Sequence, residues 1–194
     1  MGIASDNWQS VIENAMRRPN PTLRTERLLL RQPIQADAEA IFAEYAADTQ
    51  VTRYLLWRPH KSVEETREFL RGCIAAWSDL SGRFAYVITL AQTSRPVGMI
   101  EIRLANFKAQ IGYVLARAHW GQGYMTEAVG AVVGEALALP GVLGAWAVCD
   151  VDNIASARVL AKAGMTRQAR LPRFIVHPNI DDQPRDVFCY SMTR

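Results

Sequence analysis

Residues 110–133, Q-I-G-Y-V-L-A-R-A-H-W-G-Q-G-Y-M-T-E-A-V-G-A-V-V, bring together the parts of a phosphate seat. A strand-like run ends near Ala116, a loop carries Gly121 and Gly123, and a helical pattern begins at once. The first turn of a helix offers backbone N–H groups without intrahelical partners and the positive end of the helix dipole. Glycine lets the chain close around an anion with no Cβ in the way. A pyrophosphate fits such a place. An ordinary tight turn needs glycine too, so the loop alone leaves both readings open. Further on, Asn153 and Ser156 open a second helical run, D-N-I-A-S-A-R-V-L-A-K-A-G-M. Their polar groups suit the amides of a bound ligand, and they suit plain helix capping equally well.

Two nucleotide-binding classes are excluded. The glycine loop follows a series of strands instead of opening the chain, and it does not read GxGxxG, which argues against a dinucleotide fold. No GxxxxGK[ST] occurs, so there is no P-loop. The three cysteines, Cys73, Cys149 and Cys189, are odd in number and far apart. That spacing speaks against a disulfide framework and against a zinc site, and no metal is expected. The net charge of +3 is mild and carried by arginine, the lysines being Lys61, Lys108 and Lys162. A nucleic-acid binder usually shows a basic patch or stripe. No apolar run reaches about 18 residues, and the N-terminus lacks the apolar core of a signal peptide. The expectation is a soluble cytoplasmic protein with neither nucleic acid nor membrane as partner.

The elements that must position the glycine loop can be read from periodicity. With 194 residues, one domain is the default. Residues 1–21 read as a helical appendage, with Asp6 as cap and Pro19 and Pro21 as stops. The globular unit spans 22–194. A strand over 27–33 is followed by a helix over 37–48 capped by Asp37, then by a loop. Ser62 and Glu65 form a capping box for a helix to Trp77, with Val63, Phe69, Leu70, Ile74 and Trp77 as its buried stripe. Strands over 84–90, 96–104 and 109–116 make an antiparallel meander. A helix over 124–138, a strand over 143–151, a short helix from Asn153 to Lys162 and two final strands complete the chain. The fold class is α+β around one mixed sheet.

The combination W-G-Q-G-Y-M-T-E-A, then a strand, then V-D-N-I-A-S-A-R-V-L-A-K-A-G-M resembles the GNAT superfamily of N-acetyltransferases. More narrowly it is similar to the RimJ/RimL-type branch, whose members include ribosomal-protein N-terminal acetyltransferases. The opening T-E-R-L-L-L-R and the W-R-P-H-K-S-V-E-E-T segment fit that branch. The resemblance covers about residues 22–193. It implies a mostly antiparallel sheet of six to seven strands with helices on both faces.

It also implies roles. The loop that opens at Trp120 would wrap the pyrophosphate of acetyl-coenzyme A with the backbone amides of Gly121, Gln122, Gly123, Tyr124 and Met125, helped by the Thr126 hydroxyl. Pantetheine would lie in a gap between the IGYVL and AWAVC strands, bonded at Tyr113, Val114 and Leu115. The Val114 N–H would serve as oxyanion donor, a group worth about 3 kcal/mol. Asn153 would bond pantetheine, and Ser156 would support the leaving thiol. The usual Glu falls on Gln110 and the usual Tyr on Leu160, so two customary catalytic groups are missing. Glu101 is the replacement base by this reading; it is equally an outward-facing strand residue, and proton loss to water or catalysis by positioning stays open. Arg53, Tyr54 and Trp57 would line the acceptor site or belong to the core, and Arg170 and Arg173 would meet phosphate or an acidic substrate or form a solvated face. His119 reads as a loop residue instead of a base, and His60 and His177 lie in loops that could face the acceptor. The implied activity is acetyl transfer to a primary amine, either a protein N-terminus or a small molecule. A coenzyme A-binding sensor with little turnover is the alternative of another class. Homodimers are frequent in the branch, which makes a second copy an implied partner.

Overall fold

The computed structural model describes residues 18–79 and 81–194. The helix expected within the N-terminal appendage falls outside them. Residues 18–21 lie against the domain: Arg18 donates to the Trp77 carbonyl at 3.0 Å, and Asn20 N donates to Glu135 at 2.8 Å.

Among the described residues, eight strands form one sheet: β1 Thr22–Arg24, β2 Leu28–Arg31, β3 Arg83–Leu90, β4 Pro96–Ala105, β5 Lys108–Leu115, β6 Gly144–Asp150, β7 Thr166–Val176 and β8 Pro184–Thr193. Their order is β1-β2-β3-β4-β5-β6-β8-β7. Every pairing is antiparallel except β5 with β6. Among the described residues, five α-helices accompany them: α1 Ala38–Ile41, α2 Thr49–Thr52, α3 Val63–Ser78, α4 Tyr124–Ala138 and α5 Ile154–Lys162. β1, only three residues long, is one strand more than the periodicity reveals.

The helix expected over 37–48 is shorter and irregular. A 3-10 turn Gln35–Asp37 leads into α1, and a π turn Phe42–Ala46 follows it. Asp37 does not cap α1 by side chain; it is buried, accepts from Ile34 N at 2.9 Å at the start of the 3-10 turn, and pairs with Arg31 at 2.6 Å. The stripe of α3 also differs, since Thr66, Leu70, Cys73, Ala76 and Trp77 are buried while Phe69 is exposed. Phe69 instead joins the Trp57 and His60 rings.

Strand alternation gives the sheet two apolar faces. Phe84, Tyr86, Ile88, Ala109, Ile111, Ala145 and Ala147 pack with Val129, Val132 and Val133 of α4. Ala85, Val87 and Met99 pack with Ile41, Leu70 and Cys73 on the other face, where Val114 joins them. Helices therefore cover both faces, as an α+β layout requires.

Candidate active site

Register fixes the site. The β4–β5 turn has two central residues, Asn106 and Phe107, at φ 48 and 63. Such a two-residue turn makes Ala105 and Lys108 a hydrogen-bonded pair, and every second pair after it. Met99 with Val114 is one of these, and Ala116 N donates to Val97 O at 2.8 Å in the same phase. The backbone of Val114 is thus turned to β4. Its carbonyl oxygen lies 2.4 Å from where a Cβ on Gly98 would stand, in agreement with that direction. This corrects the expectation for the Val114 amide: the groups of β5 that face away from β4 are those of Tyr113 and Leu115.

What they face is a gap. β5 and β6 pair only at Lys108–Gly144, Ala109–Ala145 and Gln110–Trp146. β5 runs on to Leu115 and β6 to Asp150 without further pairing. The Leu115 carbonyl accepts from Trp120 Nε1 at 2.8 Å, which anchors the glycine loop to the end of β5. Tyr113 keeps its N–H and C=O without a strand partner on that side.

At the mouth of the gap, the loop delivers α4. Gly121 at φ 74 and Gly123 at φ 82 adopt the left-handed conformation, with Gly123 in the N-cap position. A Cβ costs about 1–2 kcal/mol there, which explains the glycines. Trp120 N donates to Arg117 O at 3.1 Å. The amides of Gly121, Gln122, Gly123, Tyr124, Met125 and Thr126 donate to no group among the described residues. Six unsatisfied donors at one helix start form a concentrated anion seat.

Two residues missed at the sequence level hold this seat. Glu127, in the first turn of α4, accepts from Thr25 Oγ1 at 2.5 Å, from Arg27 N at 2.9 Å and from Arg27 Nε at 2.7 Å. Arg27 also donates to the Gln122 carbonyl at 2.9 Å and lies over the Tyr124 ring at 4.6 Å. The signal was in the sequence as T-E-R and M-T-E-A, but the pair is separated by 100 positions.

On the other side of the gap, Asn153 Oδ1 accepts from Ser156 N at 3.1 Å, the capping role. Ser156 Oγ lies 2.7 Å from the Tyr113 hydroxyl. Burial holds the Tyr113 phenol well above its usual range, although Ser156 opposes the shift. Tyr113 is therefore a neutral hydroxyl. Burial likewise raises the Cys149 thiol beside Ser156, to about 11, so it is no nucleophile at neutral pH.

The expected base is occupied. Glu101 Oε1 accepts from Arg83 Nε at 3.0 Å and NH2 at 2.8 Å, and Oε2 accepts from Arg103 Nε at 2.5 Å. Both oxygens are engaged in ion pairs, unlike those of a free base. Gln110 is half-buried and Leu160 fully buried.

The remaining candidates scatter. His60 Nδ1 lies 2.8 Å from Thr66 Oγ1, and His119 packs on Tyr124. Arg170 pairs with Asp186 at 2.8 Å, while Arg173 N donates to the same carboxylate. Arg53 stacks on Tyr54 at 5.6 Å. His177 is buried against Tyr54 and Asp150. Asn179 donates to the carbonyls of Thr52 and Trp57, each at 2.8 Å, so the 177–180 loop is tied to the segment after α2. Above Gly112, on the α1–α3 side, the space is open.

No helix among the described residues is long and apolar enough to cross a membrane. No cluster of three metal-ligating residues occurs among them.

Comparison with known proteins gives concordant results. A family model described as "Acetyltransferase (GNAT) domain" matches residues 27–166. The Bacillus subtilis (strain 168) protein named "Uncharacterized N-acetyltransferase YoaA" is 30% identical over 177 residues, covering 90% of this chain and 97% of that protein. A GNAT-family acetyltransferase from Bacillus anthracis superposes with a TM-score of 0.77 at 25% identity, covering 89% of this chain and 98% of that one. RimL, a ribosomal alpha-N-protein acetyltransferase in complex with coenzyme A, superposes with a TM-score of 0.78 at 21% identity, covering 89% and 97%.

Proposed function

Because the chain belongs to the GNAT acetyltransferase family, we propose that it takes acetyl-coenzyme A as donor and passes the acetyl group to a primary amine. The observation that carries this reading is the row of six unspent amides from Gly121 to Thr126, set beside the β5–β6 gap. The amides suit a diphosphate. The gap suits an extended amide chain such as pantetheine, which can bond the backbone of Tyr113 as an added strand would. The neighbour RimL carries coenzyme A, which supports the same assignment.

In this reading the amine attacks the thioester carbon from the α1–α3 side, over Gly112. The oxyanion is met by a backbone amide of β5 facing the gap, at Tyr113 or Leu115. Collapse expels the thiolate near the hydroxyl pair of Tyr113 and Ser156. With Glu101 engaged by two arginines, the amine sheds its proton to water, and the rate rests on positioning.

The tie from Asn179 to Thr52 and Trp57 joins the two segments that flank the acceptor side. A joined rim favours a small amine over the terminus of a folded protein. Release of free thiol from acetyl-coenzyme A tests the proposal against spermidine, L-methionine and a peptide with a free N-terminus. Turnover with one of them is expected. Coenzyme A binding without release by any amine would favour a sensor.

A further inference from the structure

Glu127 poses an electrostatic problem. A carboxylate in the first turn of α4 sits where the proposed ligand places two or more negative charges. It is only 17% exposed, so water screens it poorly. Burial pushes its carboxyl up, but the Thr25 hydroxyl, the Arg27 amide and the Arg27 guanidinium outweigh that and hold it below its usual range. It is ionised at neutral pH. Unopposed, it would repel a diphosphate.

Arg27 is built into the same few ångströms. Its Nε and NH2 each lie 2.7 Å from Glu127 Oε2. Its NH1 fixes the Gln122 carbonyl at 2.9 Å. That carbonyl belongs to the residue between the two left-handed glycines, so its direction sets the direction of the neighbouring amide. NH2 also stands 3.3 Å from the place where a Gly123 Cβ would be. The guanidinium is stacked on Tyr124, which holds its plane. One side chain from the β1–β2 turn therefore cancels the carboxylate and pins the loop.

We infer that Arg27 is the positioning residue of the diphosphate seat, acting through Glu127 and the Gln122 carbonyl. The inference rests on the proposed donor. Its consequence is specific: Arg27 serves the diphosphate and not the acyl end of the molecule. A residue needed only for folding would affect both ends alike.

The experiment compares acetyl-coenzyme A with S-acetylpantetheine, which lacks the diphosphate, as donors to the best amine of the panel. R27Q is expected to lower kcat/KM for acetyl-coenzyme A by about 30-fold, mostly through KM, and to leave S-acetylpantetheine within about twofold. R27Q/E127Q is expected to recover most of the loss, because the charge that needed cancelling is gone. R27K keeps the charge but loses the fork, and is expected to fall between. Thermal melts confirm that each variant is folded. An equal loss with both donors, no loss with either, or no recovery in the double variant overturns the inference alone. Failure of the unsubstituted protein to use either donor overturns the donor reading, and the inference with it.

Discussion

The Tyr113 hydroxyl lies 2.7 Å from Ser156 Oγ, tying β5 beyond its last β6 pair to the first turn of α5. The same hydroxyl also lies 3.3 Å from the Ser156 carbonyl oxygen, so Tyr113 reaches α5 through two contacts. Tyr113→Phe removes both contacts and should cost about 1 kcal/mol of stability. Ser156→Ala should cost a similar amount. The double substitution should cost less than the sum of the two, because both remove the hydroxyl–hydroxyl contact, while the bond from Tyr113 to the Ser156 carbonyl survives Ser156→Ala. Urea unfolding of the three variants checks this.

Three glycines should respond differently to alanine. Gly123→Ala places a Cβ on a left-handed backbone and should cost about 1–2 kcal/mol. Gly98→Ala drives a Cβ into the Val114 carbonyl and should cost about 1–3 kcal/mol by forcing β4 from β5. Gly112→Ala meets nothing within 4 Å and should be neutral or slightly stabilising. Melting temperatures in that order support the register on which the site depends.

Much of the strand layout was legible in the sequence; the register was not. Alternation in FAYVITL and PVGMIEIRL marks β3 and β4, and A-N-F-K marks their turn into β5. Which face of β5 meets the gap was not legible. It depends on whether Ala105 and Lys108 close the hairpin, and a one-residue change reverses every assignment. Val114 was misplaced for that reason. The π turn after Ile41 escaped because one added residue per turn barely disturbs an apolar stripe. Arg27 and Glu127 escaped because no local pattern joins two residues so far apart. Gly121 and Gly123 were legible, since a helix start after glycine announces its own free amides.

Glu101 offers a kinetic test. A general base contributes about 100-fold or more to the rate. With both oxygens bound by Arg83 and Arg103, Glu101→Gln should lower kcat by less than about threefold. It should lower stability instead, by loosening Arg83 and Arg103 on the sheet. A loss of kcat near 100-fold in a folded variant would restore Glu101 as base.

His177 predicts a pH dependence of stability. Burial holds its imidazole below the usual 6.5, outweighing the opposite pull of Asp150; the nearby Arg185 adds to the lowering, while Asp181 and the Tyr54 backbone oppose it. His60, half-buried, shifts the same way through desolvation. Below about pH 6.5 the unfolded chain therefore binds more protons than the folded one. Stability should fall as pH drops through that window, before the carboxylates titrate. Urea midpoints at pH 7.5 and 5.5 should show the fall, and H177Q should reduce it. A flat profile would contradict the assignment.

The most direct measurement follows the amides themselves. In an amide-resolved NMR titration with coenzyme A, the Gly121–Thr126 N–H signals should move downfield together, and pantetheine alone should leave them in place. Coenzyme A that produces no shift in those six signals, or no binding at all to the folded protein, would contradict the account.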